Sequence, residues 1–347
     1  MTHLSNDHID SFDADLFDYD DYEAEFDPMH SDRKARRQRK PKAKHQPKKS
    51  QQAVIQEITS APESDIGFQT TYQPARFEEG WLLNSLKPFY DRGLITDVMA
   101  RVKGGKEANV YRCIAHPQTG LTLVAAKVYR PRMFRNLRND KMYREGREVV
   151  GADGKTIKKT DHRTMRAIGK KTAFGEQVAH TSWLMYEYNT LQTLYAAGAA
   201  VPQPISSADN ALLMGYCGDE NLSAPTLSEI SLERAEARPL FDKVLRNIEL
   251  MLRSGFVHGD LSAYNILYWD GDITLIDFPQ VASTQGNSRA YEILQRDVTR
   301  VCEYFADQGV TSEPDRITRA FWKRYVEIAA HLRAADLSVL LEPPEDD

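Results

Sequence analysis

Asp260, Asn265 and Asp277 are the residues of this sequence best placed by type and spacing to do chemistry together. They lie in one stretch, GFVHGDLSAYNILYWDGDITLIDFPQ, from Gly255 to Gln280. A loop carboxylate such as Asp260 can accept the proton of an attacking hydroxyl. An amide and a second carboxylate, Asn265 and Asp277, offer the hard oxygen ligands that Mg²⁺ prefers. In this order the three residues have the layout of a phosphoryl-transfer centre. An ordinary hairpin with solvated acids would use the same residue types. The chemical reading is favoured by local structure: Asp270-Gly271 is a strong hairpin signal, and a hairpin there brings Asn265 and Asp277 together.

The elements that must position these residues can be read from periodicity. Gly80 to Arg92 has helical spacing, and Ile95 to Val102, Ala108 to Ile114 and Leu121 to Tyr129 read as strands. Lys127 stands near the end of the third strand, where it can reach nucleotide phosphates. Thr172 to Ala197 reads as a helix with Glu187 on it, and a glutamate there can pair with the lysine and fix its direction. Between the first two strands, Gly104, Gly105 and Lys106 form a loop whose backbone can approach a phosphate. The loop is neither a Walker A motif nor G-x-G-x-x-G, and a plain β-turn would also account for it. Val201 to Ser206 and Ala211 to Tyr216 read as a hairpin. Leu227 to Ala235, Leu240 to Ser254, Ser288 to Gln308 and Glu313 to Ala335 read as helices. The order is a strand-rich first half with one long helix, then a helical second half. A nucleotide crevice would lie between them.

Charge is distributed in blocks. Residues 1–31 carry ten acids and no Lys or Arg, with Phe12, Phe17, Tyr19, Tyr22 and Phe26 interspersed. Residues 32–49 carry ten Lys or Arg and one acid, in RKARRQRKPKAKHQPKK. The formal charge of −5 comes from the first 79 residues, and the remainder is neutral. The basic block could hold RNA or another polyanion through phosphate contacts, or it could be a solvated tail. It has no aromatic platform for reading bases. A second basic segment, 130–171, has fourteen Lys or Arg against five acids and is long for a connection. It reads either as a substrate or RNA surface or as a mobile solvated loop. The three cysteines have no metal spacing and leave an odd count, which points to a reducing, cytoplasmic setting. The chain shows no signal peptide, and no apolar run approaches bilayer length, so no membrane partner is expected.

The motifs GGKEANVY, AAKVY, HGDLSAYNIL and LIDFPQ resemble the RIO family of atypical serine/threonine protein kinases, in particular the subfamily with GKEA in its phosphate loop. The similarity runs from about residue 80 to residue 335 and includes VPQPI, LLMGY, SAPTL and AYEILQRDV. It implies an α+β, two-lobed kinase-like fold, with a strand-rich N-lobe and a helical C-lobe. The corresponding domains are a disordered tail over 1–78, an N-lobe over 79–216 with the basic insert 130–171, and a C-lobe over 217–347. The resemblance implies ATP with Mg²⁺, and serine autophosphorylation or ATP hydrolysis. In some relatives it implies a role in maturation of the small ribosomal subunit, with ribosomal RNA or a pre-ribosomal particle as partner. By motif match, Lys127 contacts phosphates and Glu187 is its partner. Asp260 is the catalytic base, Asn265 and Asp277 are metal ligands, and Met214 to Tyr216 line the adenine site. The family further implies that Asp277 could accept the phosphoryl group as a transient aspartyl phosphate. This chain departs from the pattern in having Gly104 where the family usually has Ser or Thr, Ala263 where Glu commonly follows HGDLS, and an acidic-basic tail outside the shared region.

Two other functions use the same motifs. A small-molecule phosphotransferase can share HGDL-x-x-x-N and a later metal aspartate, although GKEANVY and the basic insert do not belong to that pattern. An assembly factor would use ATP as a binding switch and the basic tail as an RNA tether.

Overall fold

The computed structural model describes residues 68, 70–105, 107–130, 145–158, 160–170 and 172–328. The described residues fall within one compact unit, Ile55–Asp347. The acidic and basic blocks of the tail, Lys106, residues 131–144 and residues 329–347 lie outside them. The folded region begins before residue 79. Phe68 is buried and stacks on Tyr90, with ring centroids 4.5 Å apart. Tyr72 donates its backbone N–H to Val98 and its hydroxyl to Glu78. Helix α1 (Arg76–Asp91) follows directly.

Strands β1 (Ile95–Gly104), β2 (Ala108–Ala115) and β3 (Leu123–Tyr129) form an antiparallel meander. Strands β4 (Pro204–Ala208) and β5 (Ala211–Gly215) complete a five-stranded sheet of order β1-β2-β3-β5-β4. Successive strand residues point to opposite faces, and here both faces are covered. Val124, Ala126 and Val128 pack with Leu82, Leu86 and Phe89 of α1. Ala125 and Tyr129 pack on the other side with Trp183, Leu184 and Leu191. LVAAKVY is therefore almost continuously buried rather than alternating. The period of two puts Lys127 on the face of Ala125 and Tyr129, away from α1.

Helix α2 (His162–Gly169) leads into helix α3 (Ala173–Ala196), whose N-cap Thr172 accepts from the Gly175 N–H at 3.1 Å. Trp183, Leu184, Glu187, Thr190, Leu191 and Leu194 form its buried stripe at helical spacing. The middle of the basic insert is not simply a solvated loop. Val150 is buried in the main core and bridges to Thr156 across a tight turn.

The second lobe is built on helix α4 (Arg234–Arg253), opened by a capping box between Glu233 and Glu236. The two helices expected over 227–235 and 240–254 are instead a single turn at Leu227–Glu229 and one continuous helix through Pro239. Pro239 is exposed, and so is Ala235, whose carbonyl loses a donor, so water can satisfy that group. Short strand β6 (Phe256–Val257), hairpin strands β7 (Ile266–Trp269) and β8 (Asp272–Leu275), and β9 (Ala282–Ser283), which pairs with β6, carry the central stretch. Helices α5 (Ala290–Asp307) and α6 (Pro314–Trp322) pack behind it, and α6 gives way to a π-helical turn at Lys323–Glu327. Among the described residues no helix is long and apolar enough to cross a membrane.

Candidate active site

The Asp270-Gly271 turn forms as expected. Both residues have positive φ, 50° and 76°, which matches the right-handed twist of the flanking strands. The hairpin then sets the site. The N–H of Ile276 donates to the carbonyl of Asn265 at 3.0 Å, so Asn265 and Asp277 emerge side by side. Asp277 has a left-handed backbone (φ 71°), a conformation that costs a non-glycine residue about 1 kcal/mol or more.

Asp277 meets Lys127 and Glu187 across the crevice. Lys127 Nζ donates to Glu187 Oε1 at 2.6 Å and to Asp277 Oδ1 at 2.5 Å. Glu187 is 1% exposed, whereas the Asp277 side chain is 44% exposed on the crevice. The Tyr129 hydroxyl holds the other oxygen of Glu187. Burial alone would lower the pKa of the Lys127 ammonium, but Asp277 and Glu187 outweigh it and hold the value well above normal. Surrounding protein would raise the Asp277 carboxyl, yet Lys127 brings it below the usual carboxylate range. Both groups are thus charged at neutral pH.

Asp260, on the loop between β6 and β7, is 40% exposed, with Oδ1 accepting from Arg300 at 2.9 Å. The amide nitrogen of Asn265 donates to the Asp260 carbonyl at 2.8 Å and to Oδ2 at 3.2 Å. That use of the nitrogen leaves the amide oxygen of Asn265 for a ligand. The residues enclose a cavity of about 700 Å³, lined also by Val110, Met214, Tyr216 and Leu267. Its volume is that of a typical small-molecule site.

The structure divides the glycine loop. Gly105 lines the cavity and must be glycine, because an added Cβ would lie 2.9 Å from the Ala108 carbonyl. Its N–H is taken by that same carbonyl at 3.0 Å, which draws the two ends of the loop together. Gly104 does not line the cavity. It ends β1, paired with Asn109, and a side chain there would meet only ordinary contacts. Lys106 lies outside the described residues. Lys103 lines the cavity and was not singled out from the sequence.

Several supports of the site were also not anticipated. Gly259 has φ 86°, and an added Cβ would lie 2.1 Å from the Gln280 carbonyl. Only glycine fits there. His258 accepts from the Asp260 N–H at 3.3 Å, so its other nitrogen donates to Ile276 O at 3.2 Å. This joins the Asp260 loop to the strand leading to Asp277. Asp297 accepts from the Gly259 N–H at 2.8 Å, and Arg296 donates to the Gly259 carbonyl. The QRDV motif carries Asp297, but its partner lies 38 residues earlier, beyond any local pattern.

His258 and Asp297 give stability an unusual pH dependence. Burial lowers His258 from 6.5 to about 4. Between those values the unfolded chain binds a proton that the folded protein refuses, so stability falls as pH falls. Burial raises Asp297 from 3.8 to about 7, over the opposition of Arg296. Between those values the folded protein holds a proton that the unfolded chain has lost, so stability falls as pH rises. The two slopes oppose each other between about pH 4 and 6.5. Asp297→Asn removes the second and keeps an acceptor for Gly259. Its stability relative to the parent, from urea midpoints, should rise by about 1.4 kcal/mol per pH unit across that range.

The donor set suits a divalent cation. Asp277 and Asn265 supply one carboxylate and one amide oxygen, and phosphates and water complete the usual shell of Mg²⁺. Among the described residues no group of three or more His, Cys, Asp or Glu is gathered as a metal site.

Comparison with known proteins gives a consistent result. A serine/threonine-protein kinase RIO1 from Chaetomium thermophilum is 29% identical over 67% of this chain and 43% of its own length. A RIO-type serine/threonine-protein kinase Rio1 from Haloferax volcanii is 30% identical over 62% of this chain and 66% of its own length. A RIO-type Rio2 kinase from Methanocaldococcus jannaschii is 33% identical over 40% of this chain and 53% of its own length. The chain thus spans less than two thirds of the C. thermophilum and H. volcanii relatives. Matches extend across proteins named Rio1, Rio2 and RIO3, and so reach the family rather than the GKEA-loop subfamily. A crystal structure of Rio2 kinase from C. thermophilum, as an ADP/Mg²⁺-phosphoaspartate complex, aligns over 72% of this chain and 70% of that one, with 17% identity and a TM-score of 0.46. The RIO domain profile matches residues 109–317, more than half of the chain and all of the site from Lys127 to Asp277, and the chain belongs to the RIO domain family.

Proposed function

We propose that this chain is an ATP- and Mg²⁺-dependent phosphotransferase acting as an atypical serine/threonine protein kinase, with ATP hydrolysis as its companion activity. The observation that carries this is the pair of hydrogen bonds from Lys127 to Glu187 and Asp277, in the same cavity that Asp260 and Asn265 line. Lys127, held by Glu187, contacts the phosphates. Met214 and Tyr216 line the cavity and would face the adenine. Asp277 and Asn265 would hold the cation, which when bound would supply positive charge against the phosphates. Asp260 takes the proton of the attacking serine, threonine or water as the γ-phosphoryl group passes to its oxygen and ADP leaves. Membership of the RIO family favours this over a small-molecule phosphotransferase. Attack by Asp277 itself would give an aspartyl phosphate, since a carboxylate already ionised needs no base.

Ligand-induced stabilisation tests the nucleotide site. With Mg²⁺ and ATP at one hundred times the dissociation constant, unfolding should cost about 2.7 kcal/mol more. No thermal shift at millimolar nucleotide, from folded protein, would remove the proposal.

We also assign the basic block at residues 33–49 to polyanion binding, with RNA of a pre-ribosomal particle as the partner class. The support is its ten Lys or Arg over residues 32–49, which can neutralise phosphates; with no aromatic platform the contact would not read sequence. Affinity for RNA should fall log-linearly with salt, and deletion of 1–67 should flatten that slope while ATP turnover persists. Equal RNA binding by the truncated chain would refute it. The three cysteines are all free, in keeping with a cytoplasmic location.

A further inference from the structure

Lys127 ties Glu187 to Asp277 on the crevice side. A second cation ties the same two elements. The guanidinium of Arg147 donates to the Pro279 carbonyl at 2.7 Å and to the Val281 carbonyl at 2.7 and 3.1 Å. It also lies over the ring of Tyr186, 4.6 Å from the centroid. Pro279 and Val281 are two and four residues past Asp277, and Tyr186 immediately precedes Glu187. A planar cation with several fixed donors can stack and bridge two carbonyls at once, which a lysine cannot reproduce.

Arg147 is itself held from both sides. Gly146 has φ 76°, and an added Cβ would lie 2.1 Å from the Gly286 carbonyl, so the two backbones touch beyond the loop. Glu145 accepts from the Ser288 hydroxyl at 3.0 Å. On the other side, the Val150 N–H donates to Ser182 at 2.9 Å, and Asn189 donates to the Gly154 carbonyl at 3.1 Å, both on α3. Residues 145–154 therefore run as a strap from the segment after Asp277 to the helix of Glu187. None of residues 145–154 lines the cavity, whereas Pro279, which Arg147 holds, does.

We propose that Arg147 is a positioning residue for Asp277, setting the direction of the metal-binding carboxylate through the carbonyls of the following loop. This rests on the assignment of Asp277 to Mg²⁺ made above. Asp277 has a left-handed backbone and an exposed side chain, so its direction depends on what anchors the residues that follow. Lys127 draws it toward Glu187, while Arg147 fixes the chain just beyond it. Partners that orient a metal ligand typically change metal affinity or activity by about 10- to 100-fold when removed.

The test is a Mg²⁺ titration of fluorescent ADP binding, read by anisotropy on the full chain, alongside ATP turnover. Arg147→Ala should need about tenfold more Mg²⁺ for half-maximal tightening of ADP, with metal-free ADP binding unchanged. Arg147→Lys should shift the same way by less. If Arg147→Ala does not fold, Arg147→Lys is judged by the same criterion. A folded variant with the parental Mg²⁺ requirement would overturn the proposal, and so would equal weakening with and without Mg²⁺, which marks a merely structural role. If the parent protein binds ADP with no Mg²⁺ dependence, the metal assignment itself fails and takes the proposal with it. That outcome is told apart because it appears in the parent.

Discussion

Asp277→Asn should reduce ATP turnover by about a thousandfold or more and remove the dependence of nucleotide binding on Mg²⁺. The substitution keeps the size of the side chain and one oxygen, so packing is hardly touched. It removes the negative charge that Lys127 holds at 2.5 Å and that a divalent cation needs as a hard ligand. Loss of one preorganised electrostatic contact to a transition state is itself worth about a hundred- to a thousandfold. Here the placement of the phosphates is lost as well. Lys127 would remain paired with Glu187, so metal-free nucleotide binding should persist. Turnover and Mg²⁺-dependent nucleotide binding, measured on the same preparation, check the two halves of the expectation.

Asp260→Asn should separate binding from chemistry. Asp260 lines the cavity, while the bonds of Lys127 go to Glu187 and Asp277. The variant should bind ATP and Mg²⁺ as the parent does and lose about a hundred- to ten-thousandfold in transfer, the usual worth of general-base help. Arg300, which bonds Oδ1, can still meet an amide oxygen, so the loop should keep its place. Full transfer by Asp260→Asn would move the base elsewhere. Single-turnover transfer with saturating nucleotide is the measurement.

How much of this was legible in the sequence follows from the distance each signal travels. The β7–β8 hairpin was legible because an Asp-Gly turn fixes its own register, and that turn brings Asn265 to Asp277. Lys127 was legible because it stands near the end of a strand in AAKVY, and Glu187 because it lies on the long helix that follows. The division of labour between Gly104 and Gly105 was not, since either could close a two-glycine turn and only the ladder partner, Asn109, decides. The break expected between Ala235 and Leu240 is absent, and Pro239 sits exposed within one continuous helix. The start of the fold was placed late because Phe68 and Tyr72 are isolated aromatics whose partners, Tyr90, Val98 and Glu78, are supplied by later elements. His258 and Asp297 were missed as supports, and Arg147 as a clamp. Their bonds to Ile276, Gly259 and the 279–281 carbonyls span 18, 38 and 132 to 134 residues. No local period records such a contact.

The account turns on phosphoryl transfer at Lys127, Asp260, Asn265 and Asp277. The most direct test gives the purified chain γ-labelled ATP with Mg²⁺ and follows released phosphate and covalent label together. The predicted result is Mg²⁺-dependent release or labelling that Asp277→Asn abolishes. Label cleaved by hydroxylamine would be an aspartyl phosphate, and label that resists it would be phosphoserine or phosphothreonine. Neither released phosphate nor label from folded protein, or undiminished activity in Asp277→Asn, would contradict the account.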